Sequence, residues 1–207
     1  MNVGEMKYFF WGPYLVQQKI KEEHRIELLK RGNKTHLDYR DNLAGVLDKE
    51  NQFDEEDTLW FANTYNMYFQ QYLNGLKDYN KAGLDILNKI KNLNLNKLWI
   101  NFMEKNEYNP PHIHSDDFSF VIYLQIPKGI YDTPYKGTSA GPGSITFCYG
   151  NPVAHSFSSI TGYDFKPEEG DMFIFPATLQ HYVHPFKCDG TRISVSGNLS
   201  CIFNDNI

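Results

Sequence analysis

The chain has 207 residues, 41% apolar and 15% aromatic, with a formal charge of −5. That length and composition suit one globular domain with a real core and exclude a disordered chain. The acidic balance, with no basic stripe, argues against a nucleic-acid scaffold, and no apolar run reaches the roughly 18 residues of a membrane span. From the N-terminus to about residue 97 the patterns are helical. Pro13 sits where a helix can begin, and Lys30-Arg31-Gly32 reads as its basic last turn followed by a glycine stop. The clearest helix spans about 54–76: Asp54-Glu55-Glu56-Asp57 places negative charge at the N-terminal turn. Phe61, Tyr65, Tyr68, Phe69, Tyr72, Leu73 and Leu76 then recur at helical spacing. This stripe is read as a face that seats the helix on a sheet. A third helix is expected over about 81–92, on Leu84, Leu87 and Ile90.

From Leu98 the pattern turns to β. Strands are expected at Trp99–Met103, Phe118–Ile126, Ser144–Tyr149, Met172–Phe175 and Arg192–Asn198, with Gly, Pro, Asn and Asp between them. The stretch 128–143, with four glycines and two prolines, is a loop. Several strands without intervening helices point to an antiparallel barrel or jelly roll. The chain is thus expected to be one domain, 1–207, with a helical part over 1–97 and a β core over 98–203.

The residues with chemistry sit at the strand ends. In Pro111-His112-Ile113-His114-Ser115-Asp116, alternate residues of an extended segment share a face. Imidazole and carboxylate are the ligands of the 2-His-1-carboxylate Fe(II) site. Two pairings stand open: His112 with His114, or His114 with Asp116, and the first is preferred. A distant ligand comes from Leu179-Gln180-His181-Tyr182-Val183-His184, where His181 and His184 face opposite sides of a strand. His181 is preferred because it follows Gly170-Asp171-Met172-Phe173-Ile174-Phe175-Pro176, a turn feeding an apolar strand. His155 is read as a loop residue, and His24 and His36 as structural or exposed. Arg192 and Ser194 alternate onto one face, where a guanidinium fork and a hydroxyl suit a carboxylate. An arginine inside an apolar barrel asks for such an anion. Tyr123 and Asn101, on neighbouring strands, can complete that pocket.

With these residues in this order, the sequence resembles the 2-oxoglutarate/Fe(II)-dependent oxygenase superfamily, and most of all the uncharacterised members of phage and bacterial genomes. The likeness rests on His112-Ile113-His114, Phe118–Leu124, Gly170–Pro176, Leu179-Gln180-His181 and Arg192-Ile193-Ser194-Val195-Ser196-Gly197-Asn198. It covers about residues 97–203, with a weaker match at Asp41-Asn42-Leu43-Ala44-Gly45. It implies a double-stranded β-helix (jelly roll, cupin-like), mainly β with α, with the N-terminal helices packed outside. It implies Fe(II) on His112 and His181, and 2-oxoglutarate with its far carboxylate on Arg192. One departure stands out: the family's usual Asp or Glu two residues after the first histidine is here His114. The expected activity is therefore that of a 2-oxoglutarate-dependent dioxygenase, a hydroxylase, with His112, His114 and His181 as metal and catalytic residues and Asp116 as the alternative to His114. Two other readings remain: a non-catalytic metal-binding jelly-roll module, and a cupin-like three-histidine metalloenzyme that does not use 2-oxoglutarate. The partners expected are the small cosubstrate and a substrate, in a chain with no clear nucleic-acid surface and room for a homo-oligomer. Three scattered cysteines and the lack of a secretory pattern at Met1–Lys7 place the chain in a reducing cytoplasm, that of the host if it is phage-encoded. The loops 128–143 and 150–168 carry no motif that names a substrate.

Overall fold

The computed structural model describes residues 6–10, 12–79, 85–132, 134, 136, 140–150 and 162–203. Its first half holds β1 (Met6–Phe10), β2 (Tyr14–Lys19), α1 (Glu22–Gly32), β3 (Leu37–Asp38), β4 (Glu50–Gln52), α2 (Glu55–Tyr79) and α3 (Asp85–Asn88). The rest is β: β5 (Ile90–Met103), β6 (Asn109–His112), β7 (Phe118–Gln125), β8 (Ile145–Cys148), β9 (Gly162–Phe165), β10 (Asp171–Pro176), β11 (Gln180–Val183) and β12 (Arg192–Phe203). The strands form an eight-stranded sheet in the order β1-β2-β10-β7-β12-β5-β4-β3 and a four-stranded sheet in the order β6-β11-β8-β9. All of these pairings are antiparallel. The result is the expected jelly roll, mainly β, with helices on the outside.

Side-chain alternation builds three layers. On β7, Phe120, Ile122 and Leu124 join the cluster under the helices, while Val121 and Tyr123 join the cluster between the sheets. On β10, Met172 and Ile174 face the helices, and Phe173 and Phe175 face the small sheet. Both faces of these central strands are covered, which is why their sequence reads as an unbroken apolar run. From α2, Phe61, Tyr65, Tyr68, Phe69, Tyr72, Leu73 and Leu76 are all buried against the large sheet. Asp54 starts that helix: its Oδ1 accepts the Asp57 backbone N–H at 2.8 Å. No described helix is long and apolar enough to cross a membrane.

Two expected elements differ. The expected first helix is split: β2 takes Tyr14–Lys19, and α1 begins only at Glu22, although it does end at Gly32. The apolar set Tyr14, Leu15 and Val16 is claimed by pairing, with Val16 opposite Ile174 of β10. The expected third helix shrinks to α3, and Ile90 instead opens β5; residues 80–84 lie outside the described set. The alternation Asn92-Leu93-Asn94-Leu95-Asn96 carries this strand, which pairs with β12 as far as Phe203. At Gly197 the sheet is tight: a Cβ would lie 2.5 Å from the Lys97 carbonyl oxygen and 2.5 Å from the Phe120 ring.

Candidate functional site

Small-sheet edge geometry places the first histidine. β6 is an edge strand, so Pro110 and Pro111 remove no ladder bond that the sheet needs. Their restricted backbone delivers His112 opposite His181 of β11. His114 lies just past the strand, held by its own N–H donating to the Ala177 carbonyl at 2.9 Å. One ligand atom from each of His112, His114 and His181 lies within 4.8 Å of the others. The ring centroids are 4.3 Å apart for His112 and His181, 5.0 Å for His112 and His114, and 5.3 Å for His114 and His181.

Backbone carbonyls fix the tautomers. His112 Nδ1–H donates to Pro110 O at 2.7 Å, and His181 Nδ1–H donates to Leu179 O at 2.8 Å. Because a carbonyl only accepts, each Nε2 is left with its lone pair. Burial holds the rings neutral. Desolvation first, then His112 and His114, pushes His181 down to about 3. Desolvation, then His112, pushes His114 down to about 4, and desolvation lowers His112. Three uncharged imidazoles with free lone pairs form a donor set for a divalent first-row ion. Phe175 and Phe147 wall His181 at 4.8 and 6.0 Å between ring centroids, and Trp99 stands 6.0 Å from His114.

Asp116 Oδ1 accepts from Asn96 Nδ2 at 2.7 Å and from Ser200 Oγ at 3.5 Å, and its buried Oδ2 has no partner. The group of mutually close ligand atoms is His112, His114 and His181, without Asp116. His184 also stands apart, near Thr146 at 3.3 Å. His24 bonds the Tyr68 hydroxyl, His36 is exposed, and His155 lies outside the described residues.

The histidines open into a cavity between the two sheets. Arg192, Ser194, Tyr123 and Asn101 line it. Arg192 is 3% exposed; its Nη1 donates to Gly143 O at 3.1 Å and its Nε has no partner. Its guanidinium lies 5.5 Å from the centre of the Tyr123 ring. Among the described residues no carboxylate pairs with it. The Tyr123 hydroxyl is buried and unpartnered too, and burial pushes it up to about 12. An unsatisfied N–H on the buried guanidinium and an unsatisfied hydroxyl beside it fit a carboxylate. Asn101 Nδ2 points to Ser194 Oγ at 3.3 Å and Ser196 Oγ at 3.3 Å, fixing the hydroxyl row. Leu43, Ala44 and Gly45, from the weaker N-terminal match, also line the cavity. Glu50, Trp99 and Asn109 line it as well and were not singled out from the sequence. Glu50 sits in the polar stretch Asp48–Gln52, which reads as solvated; only pairing of β4 with β5 turns it inward.

Residues 97–198 match the family described as "Putative 2OG-Fe(II) oxygenase". No curated protein matches the sequence. Among solved structures, the chain is similar to the viral collagen prolyl hydroxylase of Paramecium bursaria Chlorella virus-1 in its 2OG complex. The identity is 15% and the TM-score 0.57, with 91% of this chain and 96% of that chain covered. The Pseudomonas putida prolyl-4-hydroxylase follows at 14% identity and TM-score 0.51, covering 90% and 91%. A 2OG-Fe(II) oxygenase family oxidoreductase of Burkholderia pseudomallei has 13% identity and TM-score 0.56, covering 90% and 84%.

Proposed function

Since the chain belongs to the 2-oxoglutarate/Fe(II)-dependent oxygenase superfamily, we propose that His112, His114 and His181 hold its iron and that Arg192 anchors its cosubstrate. The observation that carries this assignment is the pairing of three converging neutral imidazoles with a buried, uncompensated guanidinium in one cavity. Iron and 2-oxoglutarate, when bound, would supply the oxidation of a substrate C–H bond by O₂, one oxygen atom going to the substrate and the other to succinate as 2-oxoglutarate loses CO₂. The protein's part is placement. The Pro110 and Leu179 carbonyls orient His112 and His181, so each presents Nε2 to the ion. Arg192 and the Tyr123 hydroxyl bind the far carboxylate of 2-oxoglutarate, with Ser194 adding a hydroxyl. Phe147, Phe175 and Trp99 keep water from the histidines.

We assign the whole chain, 1–207, to one oxygenase domain, because the helices share their apolar cluster with β5, β7 and β12. The charge of −5 supports a substrate other than nucleic acid. Free thiols at Cys148, Cys188 and Cys201 suit a reducing cytoplasm. The activity test is succinate release by the iron-loaded protein. It is expected to require iron and 2-oxoglutarate together and to vanish in His181→Ala. Release that persists in His181→Ala contradicts the assignment.

A further inference from the structure

The cavity is polarised in a way that the iron and 2-oxoglutarate do not use. Its Arg192 side presents unpaired donors, whereas Glu50 Oε2, Asn101 Oδ1 and Asn109 Oδ1 are buried acceptors without partners in the same lining. Glu50 is 1% exposed and Asn101 5%. They are direct partners across β4 and β5, so their side chains share a face. Asn101 in turn opposes Ser194, and Ser194 opposes Tyr123. Glu50 therefore stands two strands from Ser194, roughly 10 Å at about 4.8 Å per strand. That separates it from the dianion's anchor within one continuous row.

Resting on the oxygenase reading of this cavity, we propose that Glu50 determines substrate specificity by receiving a cationic group of the substrate, a primary ammonium or a guanidinium. Three acceptors without a donor call for a group rich in N–H and lacking acceptors. An ammonium brings three N–H bonds and a guanidinium five, whereas a hydroxyl brings one. A carboxylate facing such a cation forms a charge-assisted hydrogen bond, and its buried charge is compensated. Burial, then Glu107, pushes the Glu50 carboxyl up to about 7 against the opposing pull of Arg40, so a bound cation would also shift it back toward the charged form. The loop before it is fitted to the carboxyl: a Cβ on Gly45 would lie 2.7 Å from Glu50 Oε1. A larger residue there would crowd the group that the cation must reach.

The test uses the protein loaded with iron and 2-oxoglutarate in the absence of oxygen. The probes are n-butylammonium, n-butylguanidinium, n-butanol and butyrate, with binding followed by ligand-observed NMR. The two cations are expected to bind the wild type about tenfold more tightly than butanol, a preference of about 1.4 kcal/mol. Butyrate is expected not to compete, and Glu50→Gln, which keeps shape and removes charge, is expected to abolish the preference. Equal binding of butanol and butylammonium, or a preference that survives Glu50→Gln, overturns the proposal. If Glu50→Gln does not fold, the wild-type ranking of cations against butyrate decides alone. The same samples report 2-oxoglutarate uptake. Uptake without cation preference sinks this proposal only, whereas no uptake removes the oxygenase reading beneath it as well.

Discussion

Arg192 is a guanidinium held out of water with one backbone acceptor, the Gly143 carbonyl. Its burial is costly until an anion arrives, which makes it the strongest single handle on the cosubstrate. Arg192→Ala is expected to weaken 2-oxoglutarate binding by roughly 30- to 5000-fold, the equivalent of about 2–5 kcal/mol for removing one partner of a buried charge pair. A change within threefold in calorimetry would rule Arg192 out as the anchor. Tyr123 separates binding from folding, because its buried hydroxyl has no protein partner to lose. Tyr123→Phe should leave the urea midpoint unchanged or raise it, and should weaken 2-oxoglutarate binding by about tenfold. A large loss of stability in this variant would point to a structural bond instead.

Glu50 and the histidines give the metal-free protein opposing pH slopes. The carboxyl is raised in the folded chain from 4.5 to about 7, chiefly by burial. Its contribution is complete below about pH 4.5 and is lost as pH rises through about 7. His181 and His114 are lowered from 6.5 to about 3 and about 4, again chiefly by burial. Their contribution is complete above about pH 6.5 and is lost as pH falls towards those values. Glu50→Gln removes only the first effect. Its stability relative to wild type should therefore improve between pH 4.5 and pH 8, by about 3 kcal/mol at most. Urea denaturation across that range decides it, and a difference that does not vary with pH contradicts the buried carboxyl.

At the level of elements, α2 is the best anchor of the helical layer. Phe61 stacks on Phe120 of β7 with centroids 5.4 Å apart and is fully buried. Phe61→Ala should cost about 3–5 kcal/mol while leaving iron affinity unchanged, because it sits on the far face of the sheet from the histidines. Weaker iron binding in a folded Phe61→Ala protein would show that the helical face shapes the site. The α2 stripe was readable because helical spacing is local, and all seven of its residues are those the periodicity picks out. β2 and the first half of β5 were not, because their partners Ile174 and Cys201 lie more than a hundred residues away in the chain. The histidines and Arg192 were legible by residue type, order and position at strand ends. The fate of Asp116 was not, since Asn96 and Ser200 reach it only once β5 and β12 are paired. Glu50 was hidden for the same reason, its burial being a product of the β4–β5 pairing.

On the scale of the whole molecule, the cavity is lined from both sheets. His112 and His181 come from the small sheet, and Arg192, Ser194 and Tyr123 from the large one. Ligands that bind both groups should therefore clamp the sandwich. Iron and 2-oxoglutarate, each at a hundred times its dissociation constant, should stabilise the fold by about 2.7 kcal/mol per ligand. The melting temperature should rise accordingly in wild type and stay put in His181→Ala. The most direct measurement is calorimetric titration of 2-oxoglutarate into metal-free protein, iron-loaded protein and iron-loaded Arg192→Ala. Tight binding is predicted for the iron-loaded wild type alone. Equal binding with and without iron, or no binding at all, would contradict an iron site built from His112, His114 and His181 beside an Arg192 anchor.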